Sequence, residues 1–304
     1  MQGKVFIDGE AGTTGLGIKD RLAKEPGVEL KSLPPERRKD PQAKAQLLRE
    51  VDVAILCLPD EAAKETAALV DSLGADGPRL LDASTAHRVA QGWTYGFPEL
   101  RAGQAEAVAR AKRVANPGCY ATGAVALLRP LVDAGLVAPD FPVAINAVSG
   151  YSGGGKAMIA DHEADRAPAF ELYALGLSHK HLPEIEAYAR LTRRPIFVPS
   201  VGSFAQGMLV SIPLFLDELP ARPKAGDLEA ALRSHYAGAR CVRVLSAPEA
   251  GRIEPEALNG TNDLELYVFA NEARGQAALV ARLDNLGKGA SGAAMQNLEL
   301  MLGG

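Results

Sequence analysis

The sequence has little of several features that would indicate particular classes of protein. Its 304 residues carry 33 Lys and Arg against 37 Asp and Glu, and this net charge of −4 gives no basic surface for nucleic acid. No apolar run approaches the roughly 18 residues of a membrane span, and the N-terminus enters a strand without a charged and then apolar leader. We therefore expect a cytoplasmic protein with neither nucleic acid nor membrane as a partner.

Cysteine is also scarce, and the three cysteines have no spacing typical of a disulfide pair or a metal site, so reduced thiols and no metal are expected. Cys57 and Cys241 lie in or beside apolar runs and are predicted to pack in the core. Cys119 differs because it follows an Asn-Pro-Gly turn and opens the segment 119–134, whose apolar residues recur at near-helical spacing before Gly135. The sequence therefore predicts a helix that begins at Cys119.

A cysteine in the first turn of a helix has an electrostatic reason to ionise. The unpaired backbone N–H groups and the positive end of the helix dipole favour an anion there, and the thiolate is the reactive form of the side chain. A buried structural cysteine is the alternative, but a residue directly after Pro117 and Gly118 is poorly placed for burial. We interpret Cys119 as a candidate nucleophile.

The opening of the chain has the strand, glycine turn and helix of a dinucleotide-binding unit. Residues 4–8 predict a buried parallel strand, and G-E-A-G-T-T-G follows at 9–15 before an amphipathic helix. The glycines allow a tight turn and a close backbone approach, so that a pyrophosphate can rest on the helix N-terminus. The spacing is not the better known G-x-G-x-x-G, and a purely structural turn is the alternative. The candidate cofactor-binding residues of this turn are Gly9, Gly12, Thr13, Thr14 and Gly15.

The next predicted strand, 28–33, ends without the acidic residue that would bind a ribose 2′-hydroxyl about 20 residues beyond the turn. Ser32 and the basic pair Arg37 and Arg38 occur there instead. Guanidinium groups bind phosphate through paired hydrogen bonds, so these residues favour a 2′-phosphate and hence NADP over NAD. A solvated charged loop is the alternative for the same stretch.

A polar segment follows the predicted strand 79–83, at the kind of strand end where open α/β sheets bind ligands. Ser84, Thr85 and Arg88 in this segment are candidates for contact with a substrate anion, and a capped turn is the alternative. His87, next to Arg88, is expected at the surface.

The second half of the chain has more strands and fewer alternating helices. A glycine-rich stretch follows the predicted strand 143–148, but it lacks the G-x-x-x-x-G-K-[ST] form, so nucleotide hydrolysis is excluded. We interpret the stretch as a flexible wall for a substrate anion, with Ser149 and Lys156 as its candidate ligands. His179 and His181 lie two residues apart and cannot share a helix face, which excludes a metal pair and leaves them as sources of a general acid/base for a thiol reaction.

The remaining segments predict a sheet and a final helix. Alternating runs between 196 and 286 predict a mixed or antiparallel sheet with one face free to pack against helices or a second subunit. The chain ends with another glycine turn and an amphipathic helix over about 291–302. Gly289 in that turn is a further candidate for cofactor contact, and a plain packing helix is the alternative.

Four segments, spread over nearly the whole chain, resemble the N-acetyl-gamma-glutamyl-phosphate reductases of arginine biosynthesis, specifically their shorter second type. They are G-E-A-G-T-T-G-L at 9–16, N-P-G-C-Y-A-T-G at 116–123, H-K-H-x-P-E-I at 179–185 and G-K-G-A-S-G-A-A-M-Q-N at 287–297. The family is related to aspartate-semialdehyde dehydrogenases and, more distantly, to glyceraldehyde-3-phosphate dehydrogenases. The first glycine motif departs from the G-A-S-G-Y pattern of the longer type, which affects the subtype and not the chemistry.

This resemblance implies a fold and an assembly. It implies an α/β protein with a doubly wound, Rossmann-like NADP-binding domain over 1–115, completed by the C-terminal helix at 287–304. It further implies an α+β catalytic and dimerisation domain with a mixed sheet over 116–286. A homodimer or homotetramer is expected.

The resemblance also implies a mechanism. Cys119 attacks the acyl phosphate, phosphate leaves, and hydride from NADPH reduces the thioester to the semialdehyde. His179 is the first choice for the proton transfers and His181 its substitute, while Arg88, Ser149 and Lys156 are weaker candidates for binding the substrate. The alternatives are a reductase for aspartyl or aminoadipyl phosphate, a non-catalytic NADP-sensing protein, and a cysteine hydrolase, which would leave the glycine turn unexplained.

Overall fold

The structure is a computed structural model, and it describes residues 1–38 and 40–303. Lys39, within the predicted charged loop, and Gly304, the last residue of the predicted segment 287–304, lie outside the described residues. The first elements of the chain are β1 Gly3–Asp8, α1 Thr13–Leu22, β2 Val28–Lys31, α2 Pro41–Leu48, β3 Val53–Leu56, α3 Asp60–Ser72, β4 Arg79–Asp82, β5 Thr94–Tyr95, α4 Gln104–Arg110 and β6 Arg113–Ala115. The elements that follow are α5 Cys119–Asp133, β7 Ala144–Gly150, α6 Gly155–Glu163, β8 Phe170–Leu172, α7 Leu182–Ala189, β9 Ile196–Gly202, β10 Met208–Phe215, α8 Ala225–His235, β11 Val242–Val244, β12 Leu264–Asn271, β13 Gln276–Leu283 and α9 Gly292–Met301.

The chain divides into two compact units that do not coincide with two continuous halves. The first unit contains Met1–Pro98, Ala102–Pro117 and the segment that begins at Ala290. The second unit contains Glu99–Arg101 and Gly118–Gly289. The helix α9 therefore belongs to the unit that also contains the N-terminal strand.

The first unit is built on a six-stranded sheet in which all paired strands are parallel. Its strand order is β2-β1-β3-β4-β6-β5. The chain starts at β1 inside the sheet, adds β2 on one side and then adds the later strands on the other, so its helices cover both faces. This doubly wound arrangement confirms the fold predicted for the N-terminal part.

Alternate residues of the central strands pack on opposite faces of this sheet. Val5 and Ile7 of β1 belong to an apolar cluster with Ile18 of α1 and Leu298 of α9. Phe6, between them, belongs to a second cluster formed with α2 and α3. Burial on both faces explains why the strands of this unit are near-continuous apolar runs.

The second unit is built on a seven-stranded mixed sheet with the order β11-β12-β13-β10-β7-β9-β8. The pairs β7 with β9 and β11 with β12 are parallel, and the other pairs are antiparallel. The helix α5 packs on β10 and β13, while α7 and α8 pack on α5. The predicted mixed sheet is thus confirmed.

The helix α5 lies in the interior of the second unit. All residues from Tyr120 to Leu128 are buried, as expected for a helix that is apolar on every side. Gly123 allows the close approach to the sheet, because a Cβ atom there would lie 2.8 Å from Cγ2 of Val210. The consequence is a tightly packed helix whose first residue is Cys119.

Local structure differs from expectation in parts of the second unit. The stretch interpreted as a flexible wall is instead the end of β7, a 3-10 turn at Tyr151–Gly154 and the start of α6. The helix α8 has no counterpart among the predicted elements, and the π-helical turn Gly287–Ser291 directly precedes α9. Within 1–38 and 40–303, no helix has both the length and the apolar character that a membrane span requires.

Candidate active site

The glycine turn between β1 and α1 brings the backbone close to its neighbours. Gly9 has a φ of +91°, and a Cβ atom there would lie 2.3 Å from the carbonyl oxygen of Cys57. A Cβ atom on Gly15 would lie 2.5 Å from the oxygen of Gly9. The N-cap residue of α1 is Gly12, and the two threonines that follow it occupy the first helical positions. The first N–H groups of α1 thus start at a residue without a side chain, which suits an anion.

A cavity of about 630 Å³ opens beside this turn. At its edge, the carboxylate of Asp8 at the end of β1 accepts hydrogen bonds from Lys44 Nζ at 2.7 Å and Thr66 Oγ1 at 3.0 Å. A cavity at the carboxyl ends of parallel strands, beside a glycine turn, is where this fold holds a dinucleotide. Its lining includes Phe6, Gly9, Glu10, Leu33, Arg38, Leu58, Ala62 and Leu69.

An acidic side chain, Glu10, meets three donors at the mouth of the cavity. Its Oε2 accepts hydrogen bonds from Ser32 Oγ at 3.1 Å and Lys19 Nζ at 3.2 Å, and its Oε1 pairs with the guanidinium of Arg38. Burial acts to raise the pKa of Glu10, but the bonds from Lys19 and Ser32 and the nearby positive charges outweigh it, so the pKa is lowered. The carboxylate of Glu10 is therefore held ionised.

The two arginines predicted to bind phosphate have different partners. Arg38 lines the cavity and pairs with Glu10, whereas Arg37 Nη2 lies 3.1 Å from the carboxylate of Asp40. Asp40 is the N-cap of α2 and accepts a hydrogen bond from the backbone N–H of Gln42 at 2.9 Å. Arg37 therefore supports the start of α2, and Arg38 is the arginine that faces the cavity.

The turn after β4 is held by the buried carboxylate of Asp82. Ser84 donates to it from its backbone N–H and from Oγ, each at 2.8 Å. His87 Nδ1 lies 2.6 Å from the same carboxylate, and its ring stacks on Trp93 with 4.0 Å between the ring centroids. The expectation of a surface His87 is therefore wrong, because the carboxylate and the indole hold the ring in a buried position.

Asn116, at the start of the Asn-Pro-Gly turn, collects hydrogen bonds within the first unit. Its carbonyl oxygen accepts from Nε of the buried Arg88 at 3.1 Å. Its side-chain Nδ2 donates to the oxygen of Ala290 at 3.0 Å, and its Oδ1 accepts from Nδ2 of Asn297 in α9 at 3.0 Å. The turn that leads to Cys119 is thus fixed on several sides.

Cys119 is the first residue of α5, as predicted, and it is partly exposed. The N-cap of the helix is Gly118, whose N–H donates to Oε1 of Glu184 at 2.8 Å. Glu184 lies in the first turn of α7 and is only 1% exposed. A buried carboxylate therefore fixes the residue directly before the cysteine.

Both predicted histidines lie against Tyr120, the residue after the cysteine. The centroid of the Tyr120 ring is 5.8 Å from that of His179 and 5.9 Å from that of His181. His179 Nδ1 accepts the backbone N–H of His181 at 3.1 Å, which assigns the proton of a neutral His179 to Nε2. That Nε2 lies 3.4 Å from the hydroxyl oxygen of Tyr173. The structure thus brings both histidines to the start of α5.

Tyr120 and Tyr173, whose rings both contact His179, are held in their protonated form. Burial raises the pKa of Tyr173 to about 12, and the charge of Cys119 adds to the rise. Burial, together with Tyr173 and Cys119, raises the pKa of Tyr120 well above its usual range, and its hydroxyl donates to the oxygen of Ser200 at 3.0 Å. Each phenol therefore keeps a proton beside the cysteine at physiological pH.

The two candidate residues from the glycine-rich stretch, Ser149 and Lys156, lie in different surroundings. Ser149, at the end of β7, is buried beside Tyr120, and its Oγ donates to the oxygen of Gly150 at 2.9 Å. Lys156 lies on α6 and is exposed. Ser149 is therefore part of the cluster around Tyr120, whereas Lys156 belongs to the surface of α6.

Gly289 lies directly against the cysteine. A Cβ atom there would lie 2.8 Å from Cβ of Cys119 and 3.1 Å from the oxygen of Asp284, to which the Gly289 N–H donates at 2.9 Å. The preceding residue, Lys288, is 1% exposed, and its Nζ bonds both carboxylate oxygens of Glu99, at 2.9 and 3.0 Å. This segment leaves the space that the cysteine side chain needs.

Four residues that the structure brings to these clusters were not predicted from the sequence. Glu10 and Glu184 lie inside motifs that were recognised, but the motifs do not reveal which donors their carboxylates meet. Lys19 and Tyr173 carry no local signal, because their partners are known only once the chain has folded.

Comparison with known proteins gives a consistent result. A family model described as "Semialdehyde dehydrogenase, dimerisation domain" matches residues 119–285. Among solved structures, aspartate semialdehyde dehydrogenase II from Vibrio cholerae superposes with a TM-score of 0.74 at 18% identity, covering 99% of each chain. Aspartate semialdehyde dehydrogenase with NADP from Candida albicans gives a TM-score of 0.66 at 17% identity, again over 99% of each chain. These likenesses confirm the predicted fold.

Curated relatives decide the family. The N-acetyl-gamma-glutamyl-phosphate reductase of Chelativorans sp. (strain BNC1) is 56% identical, with 100% of this chain and 99% of the relative covered. The protein of the same name from Brucella ovis is 52% identical with 100% of both chains covered. With this identity over its full length, the chain belongs to the family of N-acetyl-gamma-glutamyl-phosphate reductases, as its motifs predicted.

Proposed function

We propose that this chain catalyses the NADPH-dependent reduction of N-acetyl-gamma-glutamyl phosphate to N-acetylglutamate 5-semialdehyde, with release of phosphate, in arginine biosynthesis. The observation that carries the proposal is the cysteine at the N-terminus of the buried helix α5, with two histidine rings against the next residue. The names of the two full-length relatives supply the substrate.

The reaction begins with the thiolate of Cys119. Its sulfur attacks the acyl carbon, a C–S bond forms, and the C–O bond to phosphate breaks so that phosphate leaves with the electron pair. The N-terminal end of α5 favours the thiolate, and the bond from Gly118 to Glu184 keeps the helix start in place. When bound, NADPH supplies the hydride that reduces the carbonyl carbon of the thioester.

Proton transfer to the oxygen of the reduced carbon falls to a histidine. His179 is our first choice because its Nδ1 is occupied by a backbone N–H, which leaves the proton on Nε2 beside the Tyr173 hydroxyl. The neutral imidazole shares this Nε2 proton with the oxygen while negative charge develops there and recovers it as the C–S bond breaks, which releases the semialdehyde and the thiolate without forming an imidazolate. His181 remains the substitute, since its ring lies equally near Tyr120.

The residues of the first unit fit the dinucleotide. Gly9 and Gly15 allow a backbone approach that a Cβ atom would block, and the adjacent cavity of about 630 Å³ has a mostly apolar lining with cationic groups at its mouth. The donors Ser32, Lys19 and Arg38 suit the 2′-phosphate that distinguishes NADP from NAD. Thr13 and Thr14 would offer the first N–H groups of α1 to the pyrophosphate.

The substrate's anionic groups need partners as well. Arg88 is our first candidate, because its buried guanidinium already binds the turn at Asn116. Ser149 is a second candidate because it lies beside Tyr120, and Ser84 and Lys156 remain weaker ones. The predicted cytoplasmic location also belongs to this proposal.

The same chain is proposed to act as a homodimer or homotetramer. The family model that matches residues 119–285 is described as a dimerisation domain. In support, the mixed sheet carries exposed apolar side chains, including Phe170, Leu172 and Phe215. Apolar side chains of this size on one sheet face are typical of a surface that another subunit covers.

The test is phosphate-dependent reduction of NADP⁺ with N-acetylglutamate semialdehyde, run beside aspartate semialdehyde. Turnover is expected with the first substrate, no turnover is expected in Cys119→Ser, and unchanged turnover is expected in the matched control Cys241→Ser. Turnover with aspartate semialdehyde alone would show that the substrate is aspartyl phosphate and not N-acetyl-gamma-glutamyl phosphate. NADP⁺ binding without turnover of either compound would contradict the enzymatic proposal and favour a sensor.

A further inference from the structure

An acidic side chain lies where the first unit is expected to hold a phosphate. The Glu10 carboxylate is bonded by Ser32 Oγ at 3.1 Å and Lys19 Nζ at 3.2 Å, and it pairs with Arg38. A hydroxyl, an ammonium and a guanidinium converging on one anion are the donor set that a phosphate monoester takes. In this structure a carboxylate takes it instead.

The exposure of the side chains supports this interpretation. The side chain of Glu10 is 11% exposed, whereas those of Lys19 and Arg38 are 45% and 44% exposed. The carboxylate is therefore at the centre of the cluster and the two cations surround it from the solvent side. Because Arg38 and Glu10 both line the 630 Å³ cavity, the cluster is continuous with the space for the rest of a dinucleotide.

We propose that the Glu10 carboxylate occupies the subsite of the cofactor's 2′-phosphate and must leave it when NADP binds, so that Glu10 limits the preference for NADP over NAD. This inference rests on the proposed function. A phosphate and a carboxylate among the same three donors would repel each other, and the energy of moving Glu10 is subtracted from the binding of NADP. A ribose 2′-hydroxyl, in contrast, can donate to the carboxylate where it already is, as acidic residues after the second strand do in NAD-binding proteins.

The direct test is isothermal titration of adenosine 2′,5′-bisphosphate, 5′-AMP, NADP⁺ and NAD⁺ into the native chain and Glu10→Gln. The amide removes the charge at nearly constant shape. We expect 2′,5′-bisphosphate and NADP⁺ to bind about 3- to 10-fold more tightly in the variant, while 5′-AMP and NAD⁺ bind no more tightly. Glu10→Ala is expected to change affinity in the same direction.

The matched control is Glu29→Gln. Glu29 is an exposed carboxylate on β2 that pairs with Lys31 at 2.7 Å, so its loss changes the net charge equally but leaves the cluster intact. If Glu29→Gln binds the 2′,5′-bisphosphate and NADP⁺ as much more tightly as Glu10→Gln does, the effect comes from net charge and the inference is overturned. Unchanged or weaker binding of the 2′,5′-bisphosphate in Glu10→Gln would also overturn it.

Failure of the inference and failure of the proposed function are distinguishable. If the native chain and all variants bind neither NADP⁺ nor the 2′,5′-bisphosphate, the proposed cofactor is wrong. If the native chain binds both and Glu10→Gln changes nothing, the cofactor stands and the role of Glu10 is wrong.

Discussion

At the scale of single residues, the chemical difference between Cys57 and Cys119 follows from their surroundings. Burial first, and then the carboxylates of Asp82 and Asp8, raise the pKa of the Cys57 thiol to about 12. Both thiols are partly exposed, but Cys119 lies at the start of α5, where the helix favours an anion. Only the thiolate reacts with iodoacetamide. A thiol with a raised pKa is less ionised at any pH below that pKa, and it is therefore alkylated more slowly. We expect the native chain at about pH 8 to be alkylated at Cys119 and not at Cys57.

The measurement is peptide mapping by mass spectrometry after timed alkylation, with a denatured sample as the control in which all three cysteines react. The variant Cys119→Ser should lose the fast phase and keep its native fold. Alkylation of Cys57 in the native chain at a rate similar to that of Cys119 would contradict the structural difference. The folded state disfavours the Cys57 thiolate. Ionisation of this group therefore lowers the free energy of unfolding only when the pH rises above the pKa of the unfolded thiol.

The two histidines can be separated by kinetics. His179→Gln should lower kcat about 100-fold or more and flatten the pH profile, because the proton donor is lost. His181→Gln should lower kcat less, since its backbone N–H still bonds Nδ1 of His179 and keeps that ring oriented. The pH dependence of kcat for both variants decides between them. The reverse order of losses would assign proton transfer to His181.

The site residues show what a sequence can and cannot reveal at this scale. The position of Cys119 at a helix start was predictable because the Pro-Gly turn before it is local, whereas the contact of His179 and His181 with Tyr120 joins segments that are distant along the chain. His87 was misjudged because its partners, Asp82 and Trp93, act through side-chain contacts that no spacing rule encodes. The role of Glu10 was not predicted for the same reason: its donors are Lys19 in α1, Ser32 just after β2 and Arg38 before α2, which are separated along the chain.

At the scale of elements, the segment before α9 restricts the space around Cys119. Gly289→Ala would put a Cβ atom 2.8 Å from Cβ of Cys119 and 3.1 Å from the oxygen of Asp284. One of these atoms must move, and a displacement of about 1 Å at a reacting group can cost 100-fold in rate. We expect kcat to fall at least 10-fold and the free energy of unfolding to fall by roughly 1–3 kcal/mol.

The matched control is Gly226→Ala in α8, where an added Cβ atom meets nothing within 4 Å. It should leave kcat unchanged, and its effect on the free energy of unfolding should be within about 1 kcal/mol, in the stabilising direction if any. Steady-state kinetics and urea unfolding of both variants provide the comparison. Normal kcat in Gly289→Ala would show that the close contact is not required.

Element boundaries were predictable where a glycine or proline ends a periodic run. The helix α5 begins at Cys119 as the Pro-Gly turn predicts, and the parallel strands appear where continuous apolar runs are found. The local structure from Ser149 to Lys156 was harder to predict, because the glycines of this stretch are compatible with a loop, a 3-10 turn and a helix start alike. Contacts made after folding, such as the hydrogen bond that Asn285 Nδ2 donates to Ser152 Oγ, select among them.

At the scale of the whole molecule, the fold class and the family were predictable because motifs are spread over nearly the whole chain. The predicted divisions after residues 115 and 286 compare with observed divisions after Pro117 and Gly289.

The faces of the mixed sheet are assigned by alternation. Val210 and Ala281 lie next to α5, so Leu209 and Val280 on the same strands face the opposite side. The alternation is visible in the sequence, because Ser211 and Arg282 share the face of Leu209 and Val280, but it does not show what packs on that face.

The uncovered face is where we expect a second subunit. Phe170 on β8 is 57% exposed and lines the same surface depression as Leu209 and Val280. Phe170→Asp should cost the isolated chain little stability, because the ring is already exposed, but it would bury a charge in a subunit interface. We expect the native chain to be a dimer or tetramer and the variant to dissociate, as measured by sedimentation velocity. Val89→Asp, at a position 51% exposed in the first unit, should keep the native mass. A native monomer, or a Phe170→Asp variant of unchanged mass, would show that subunits do not meet on this face.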